Sequence, residues 1–420
     1  MKERFITLAS ILNYIDFNID SMTTTDNEYV IRKFHPVGQG AFFTETFRVL
    51  QPDGSFANYS IAYDCGSSKS KYGKEKFDIN AYIRKSNIET IDALFLSHLD
   101  NDHCNGLKSL FNRYKIKHIF LPLMSPNEKA LSLLKHLSRS RHWTGNDNQT
   151  LDLIFEPEKI VETYSNGECK LHFVKTNLDS PNEDNLFSSS LENSIFIDNI
   201  KKNIEFGKSI RFTQPSNNSK FINWFFIPWN FEFKNRQDKL IRCMENLPLI
   251  QLYIKTNANK QKEIDVEQLK IDLQTCKRDI LIKILKYCYK CCGGTNENSM
   301  VLFSGFLDNK TSSEVSFWGY ETCDLDACCR YNKIKTKGCK KSCSPSLRKT
   351  IYDNTMIPSG CLYLGDINIK KLPKGFWEHN PFKILRFFIG LYQQPHHGAD
   401  SSFHKSLINH HSPRLTFMNY

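Results

Sequence analysis

No stretch of about 18 apolar residues occurs anywhere in the 420-residue sequence, which excludes a membrane-spanning helix. The opening MKERFITLASILNYIDF contains acidic residues and lacks a small-residue cleavage site, so it does not read as a secretion signal. No internal repeat is visible, and no low-complexity tract is long enough to act as a linker. These absences point to an intracellular, cytoplasmic protein without membrane attachment. In that setting the fourteen cysteines are expected as thiols or metal ligands, not as a disulfide framework.

What is present begins with size. The length allows two or three domains, or one large enzyme domain with insertions, and either can bury a substantial core. Lysine and arginine number 56 against 45 aspartates and glutamates, a formal charge of +11. The surplus favours anionic partners such as nucleic acid or a phosphate-bearing substrate, although it is spread thinly.

Residues 1–29 carry few organising signals, with TTTDN as a break, so the folded body is expected to start near Tyr29, and Met22 is an alternative start. YVIRKF, AFFTETFRVL and YSIAYDCG then read as a β-meander, since apolar residues alternate or run between turn residues such as QPDGS. Residues 74–88 have helical character and lead into IDALFLSH, a buried strand by its length and polar flanks. A helix from Gly106 to Tyr114 and the strand IKHIFLPL complete an α/β unit with a crossover.

The middle of the chain, 126–290, is expected as an insertion of largely helical character and unknown role. NEKALSLLKHLSRSR and VEQLKIDLQTCKRDILIKILKYCYK have amphipathic helical spacing, KLHFVK reads as a strand, and FINWFFIPWNFEF reads as an aromatic strand pair or a surface platform. NSMVLFSGF, CLYLGDI and FFIGLYQQ then resume short apolar runs, each delivering polar groups at its carboxyl end. The strand-like SPRLTFMNY suggests a terminal strand or a truncated end.

One stretch concentrates chemistry. In SHLDNDHCNGL, residues 97–107, His98, Asp100, Asp102 and His103 follow directly on an apolar strand. Unpaired charges are costly at a buried strand end, so such a cluster calls for a cation. Imidazole and carboxylate together suit Zn, Mn or Fe, and alternating positions on a loop can serve two adjacent ions.

This signature resembles that of the metallo-β-lactamase fold, in particular the variant in the nuclease-like domain of the competence DNA-uptake protein ComEC. Five further segments are similar to that family in the same order: HPVGQGAFF at 35–43, IAYDCGS at 61–67, NENSMVLFS at 296–304, CLYLGD at 361–366 and QQPHHGADSS at 393–402. The resemblance covers residues 30–125 and 291–420, the two halves of one domain, and implies a four-layer αββα sandwich in the α/β (α+β) class. The site would lie at one edge of the two sheets.

Carried over residue by residue, the resemblance implies two divalent ions, Zn or Mn. His98 and Asp100 would bind the first, Asp102 and His103 the second, and Asp366 would bridge them. His396 or His397 would complete the second, with His396 preferred as the strand-end residue and His397 left to contact substrate. Asp64 would support the ligand loop by accepting hydrogen bonds. Asp100 stands where most of the wider fold has histidine, and the wider fold's third-motif histidine has only His172 as a candidate here. The implied chemistry is attack by a metal-bound hydroxide oriented by Asp102 or Asp366, with His397 as a further catalytic group. Gly38 to Gly40, Ser401 and Ser402 are rim elements or plain turn residues.

The expected activity is that of a metallo-β-lactamase-fold metallohydrolase cleaving phosphodiester bonds, with DNA or RNA as substrate and a partner protein as a further expectation. Two other readings stand beside it: hydrolysis of a small phosphoester or other ester, and a non-catalytic binding or regulatory protein with a relic metal site. Cys288 and Cys291 form a C-x-x-C pair and Cys339 and Cys343 a C-x-x-x-C pair, with Cys323, Cys328 and Cys329 between. They fit either a structural zinc site or free thiols. The Cys-rich tract 308–358 interrupts a turn of the resembled family, so it is expected as an inserted basic lobe that guides a nucleic-acid strand or is simply solvated.

Overall fold

The computed structural model describes residues 28–35, 37, 40–67, 88–139, 149–176, 194–212, 215–219, 221–232, 234–273, 278–292, 299–306, 360–369, 388–393 and 415–417. All of the region 74–88 but its last residue, the Cys-rich tract 308–358, Gly38, His396, His397, Ser401 and Ser402 lie outside the described residues.

Alternating and continuous apolar runs become two seven-stranded sheets. The first is built from β1 (Tyr29–Phe34), β2 (Phe43–Leu50), β3 (Phe56–Tyr63), β4 (Thr90–Phe95), β5 (Lys115–Pro122), β6 (Lys170–Val174) and β8 (Asn203–Ile204), in that spatial order. Its meander β1-β2-β3 is antiparallel, and β3 to β8 run parallel. The second sheet runs in space from β16 (Leu415–Phe417) through β15 (Ile389–Gln393), β14 (Gly360–Tyr363), β13 (Ser299–Phe306), β10 (Trp224–Phe231) and β9 (Ile210–Arg211) to β7 (Ile195–Phe196). A small hairpin, β11 (Ile254–Thr256) and β12 (Lys262–Ile264), stands apart.

The aromatic stretch expected as a strand pair or surface platform is one strand, β10, buried along its whole length. It pairs with β13 from Trp224↔Phe306 to Phe231↔Ser299, which removes its aromatic rings from any surface role. Residues 126–290 are part of the sandwich as well as helical. They supply β6 and β8 to one sheet and β7, β9 and β10 to the other. WFFIPWNF is buried along its length and KLHFV over its last three residues, as strands between layers must be.

Side chains from the two sheets meet in one core: Phe43, Phe47, Ile61, Phe95 and Phe120 from the first against Trp224, Phe226, Met300, Leu302 and Tyr363 from the second. A buried carboxylate crosses this interface. Glu45 accepts hydrogen bonds from Arg32 Nε at 2.6 Å, Ser304 Oγ at 2.6 Å and Tyr363 Oη at 2.7 Å, so its charge is fully paired.

The opposite face of the first sheet, with Ala62, Leu94, Ile119 and Phe173, is covered by helices. These are α1 (Asn101–Cys104), α2 (Leu107–Arg113), α3 (Pro126–Arg139), α4 (Gln149–Phe155), α5 (Pro157–Ser165), α6 (Lys234–Glu245), α7 (Val266–Leu273) and α8 (Arg278–Cys291). The long amphipathic stretch 266–290 thus divides into two helices, α7 and α8. Among the described residues, no helix is long and apolar enough to cross a membrane.

Candidate metal centre

The loops that leave β3, β4 and β14 meet at one edge of the sandwich, and each is bent there for an identifiable reason. After β3, Asp64 adopts φ 55°, left-handed for a non-glycine residue. That turn aims its carboxylate across the sheet edge, where Oδ1 accepts from the Ser97 amide at 2.7 Å and Oδ2 from Ser97 Oγ at 2.8 Å. After β14, Gly365 takes φ 54°, and a Cβ there would run into Ser299 and Ser97. The turn is further held by Gln393 Oε1, which accepts from the amides of Leu364 and Gly365 at 3.1 and 3.2 Å. Asp366 follows with its amide donating to Ser299 Oγ at 3.2 Å.

The loop after β4 passes into the single turn α1, which carries Asp102 and His103. Two glycines let the chain close beneath it. A Cβ on Gly66 would strike the Asp102 carbonyl, and one on Gly40, at φ 150°, would meet the backbone of Gly66 and Ser67. Gly40 is thus a packing element under the ligand loop.

Three side chains converge as a result. Ligand atoms of His98, His103 and Asp366, all buried, lie within 4.8 Å of one another. His98 Nε2 is 3.5 Å from Asp366 Oδ2, and His103 Nε2 is 3.3 Å from Asp366 Oδ1. The other ring nitrogens fix the tautomers. Ser97 Oγ gives its one proton to Asp64, so it accepts from His98 Nδ1 at 2.9 Å, and His103 Nδ1 donates to Asp64 Oδ2 at 2.8 Å. Both Nε2 atoms therefore present lone pairs to the Asp366 carboxylate, an arrangement that repels unless a cation or a proton intervenes.

The electrostatics say the same. Burial pushes the His103 pKa down, but the carboxylates of Asp366 and Asp64 outweigh it and lift it well above the ordinary value. Among the described residues, the buried His98 Nε2 has no hydrogen-bond partner. The donor set also has the right size. Bonds of about 2.0–2.2 Å to a tetrahedral ion separate neighbouring donors by about 3.3–3.6 Å; His103 and His98 stand 3.3 and 3.5 Å from one or the other oxygen of Asp366, and a 3.6 Å separation to His98 lies beside them. The residues present fit a divalent metal.

The 3.6 Å separation belongs to Asp100 Oδ2 and His98 Nε2. Asp100 has a second relationship that the sequence did not announce, an ion pair with Lys135 Nζ from α3. Burial raises its pKa, and the ammonium of Lys135 with the ring of His98 more than reverses that, holding the carboxyl far below the usual range. Asp102, half-buried in α1, is not in the three-residue group.

His172 is engaged elsewhere. Its Nδ1 donates to the Lys201 carbonyl at 3.0 Å, its Nε2 is 3.0 Å from His118 Nδ1, and the ring stacks on Phe120. Beside the group opens a pocket lined by His98, Asp100, Ser132, Glu128, Glu232 and Asn230, among others.

Residues 58–122 match the Metallo-beta-lactamase superfamily. That segment spans β3 to β5 and includes Asp64 and the loop from His98 to His103, while Asp366 lies beyond it. The mixed α/β arrangement of two facing sheets with flanking helices is that of a metallo-β-lactamase sandwich. No curated protein matches the chain. Among solved structures, a long form RNase Z from yeast is similar at 12% identity over 51% of this chain, with a TM-score of 0.21. The chain spans 29% of the length of that protein.

Proposed function

We propose that this protein is a metal-dependent hydrolase of phosphodiester bonds, a nuclease acting on DNA or RNA, of the ComEC-like type that its motifs resemble. The observation that carries the reading is the convergence of His98, His103 and Asp366 from distant parts of the chain beside an open pocket. The formal charge of +11 adds a general attraction for a polyanion.

In this reading His98, His103 and Asp366 form the heart of a site for Zn or Mn. Asp100 and Asp102 serve as neighbouring donors for two ions, and His396 or His397 completes the set. A divalent ion held there supplies a Lewis acid that activates water and polarises a phosphoryl oxygen. The chain does the rest. Asp64 and Ser97 hold both imidazoles in the tautomer that turns an Nε2 lone pair toward the site. Asp102 or Asp366 orients the attacking water and takes its proton, and His397 contacts the substrate. Lys135 balances the charge of Asp100 until a cation arrives.

A second reading, hydrolysis of a small phosphoester or other ester, is favoured by the walls of the pocket, where the acidic side chains Glu128 and Glu232 disfavour a run of phosphates more than a single one or a neutral ester. One experiment separates the two. Wild type, Asp102→Ala and Asp366→Ala are assayed on labelled DNA, labelled RNA and a 4-nitrophenyl phosphodiester with added Mn, Zn or Mg. Cleavage of polymer by wild type alone supports the nuclease, and cleavage of the small ester alone supports the second reading. Equal activity in all three proteins would refute both.

A further inference from the structure

Away from the histidines, cysteines gather along a seam of the helical layer. Cys243 lies near the end of α6, and Cys288 and Cys291 lie in the last turns of α8 with Cys292 just beyond. Positions 288, 291 and 292 share one helical face, because residues three and four apart are stacked. Cys288 and Cys292 are buried, Cys243 is half-buried and Cys291 is exposed. The Sγ atoms of Cys243 and Cys288 are 3.2 Å apart, although 45 residues separate them in the chain.

That separation decides what the seam can do. A disulfide has a sulfur–sulfur length of about 2.05 Å, so about 1.2 Å of approach is required, within the reach of small rotations at two side chains. A metal cage needs more than a pair. Among the described residues, no three cysteine sulfurs lie within 4.8 Å of one another. We propose that Cys243 and Cys288 are a thiol–disulfide exchange site, which a small-molecule disulfide oxidises to a bond tying α6 to α8.

The step balances. The Cys243 thiolate attacks one sulfur of the small disulfide, breaks its sulfur–sulfur bond and releases one small thiol, which takes up the proton Cys243 has lost. Cys288 then attacks the Cys243 sulfur of the mixed disulfide and gives its proton to the second departing thiol. Two protein thiols are oxidised and one small disulfide is reduced. Burial holds both protein thiols above their ordinary pKa, so exchange accelerates as pH rises.

The bond has a structural consequence. α6 also carries Gln237, whose Nε2 donates to Glu232 and, at 3.3 Å, to Glu128 on the wall of the pocket. Linking α6 to α8 fixes the helix that braces that wall.

The test uses the full chain, incubated in buffers graded from reduced to oxidised glutathione, then alkylated, digested without reduction and read by mass spectrometry. Expected is a peptide pair joined through Cys243 and Cys288, with both thiols lost together to alkylation. The pair persists in Cys291→Ser and is missing from Cys243→Ser and Cys243→Ala. Links from Cys243 to Cys291 or Cys292, a glutathione adduct on Cys243 alone, or both thiols alkylated in the most oxidising buffer would each overturn the proposal. The decisive measurement is made on wild type, so a variant that fails to fold does not affect it.

Discussion

The carboxylate of Asp64 grips Nδ1 of His103 at 2.8 Å across 39 residues of sequence, and by doing so turns Nε2 of the same ring toward Asp366. Asp64 also takes both hydrogen bonds of Ser97, which in turn sets the tautomer of His98. One carboxylate outside the three-residue group thus orients both imidazoles within it. Removing its charge should weaken metal binding without unfolding the protein. For Asp64→Asn we expect a loss of about 10–100-fold in affinity for Zn or Mn, measured by competition with a chromophoric chelator. Unchanged affinity would mean that the rings are oriented by packing alone.

His98→Ala, His103→Ala and Asp366→Ala should each lower the metal content of protein purified without chelator, read by elemental analysis. His172→Ala should leave it as in wild type, since His172 is bound to His118 and Lys201. A fall in metal content for His172→Ala would place it at the site after all.

Chelation by EDTA should lower the thermal midpoint of wild type, because an ion that binds only the folded chain stabilises it by mass action. The same treatment should leave the His103→Ala midpoint where it was. Differential scanning fluorimetry with and without chelator reads both effects, and an equal shift in the two proteins would show that the stabilising ion sits elsewhere.

Gly66→Ala introduces a Cβ into the Asp102 carbonyl, and nothing flexible lies in its path. Overpacking of this kind costs on the order of 1–3 kcal/mol, and here it also displaces α1 and the ligands it carries. Urea denaturation should show the loss of stability, and chelator competition should show a parallel loss of metal affinity. Gly54→Ala is the control, since a Cβ there has open space around it, although its φ of 84° makes some strain unavoidable.

Burial and the neighbouring charge of Glu232 push Glu128 up to about 7 from 4.5. Between those two values the folded chain keeps a proton that the unfolded chain has lost, so unfolding releases it and stability falls as pH rises through the window. The wild-type midpoint is therefore expected to be higher at pH 5 than at pH 8, with part of that difference absent from Glu128→Gln. Identical pH dependence in the two proteins would show that Glu128 titrates normally.

The sequence determined those features whose information lies within a short window. The strands β1 to β5 follow from alternating or continuous apolar runs bounded by turn and polar residues, and the ligand loop follows from four histidines and aspartates in six positions after one of those strands. What the tertiary structure decided is held in contacts between distant segments. Ser97 had no mark in the sequence, yet it connects Asp64 to His98. Lys135 reads as one more polar position of a helix until α3 packs against the sheet and brings its ammonium onto Asp100. Likewise, the C-x-x-C spacing pairs Cys288 with Cys291, while a sulfur 3.2 Å from that of Cys288 belongs to Cys243, on another helix. Local periodicity fixes which face of an element is buried, but the partner that face meets is chosen by the packing of whole layers, which no short window of residues contains.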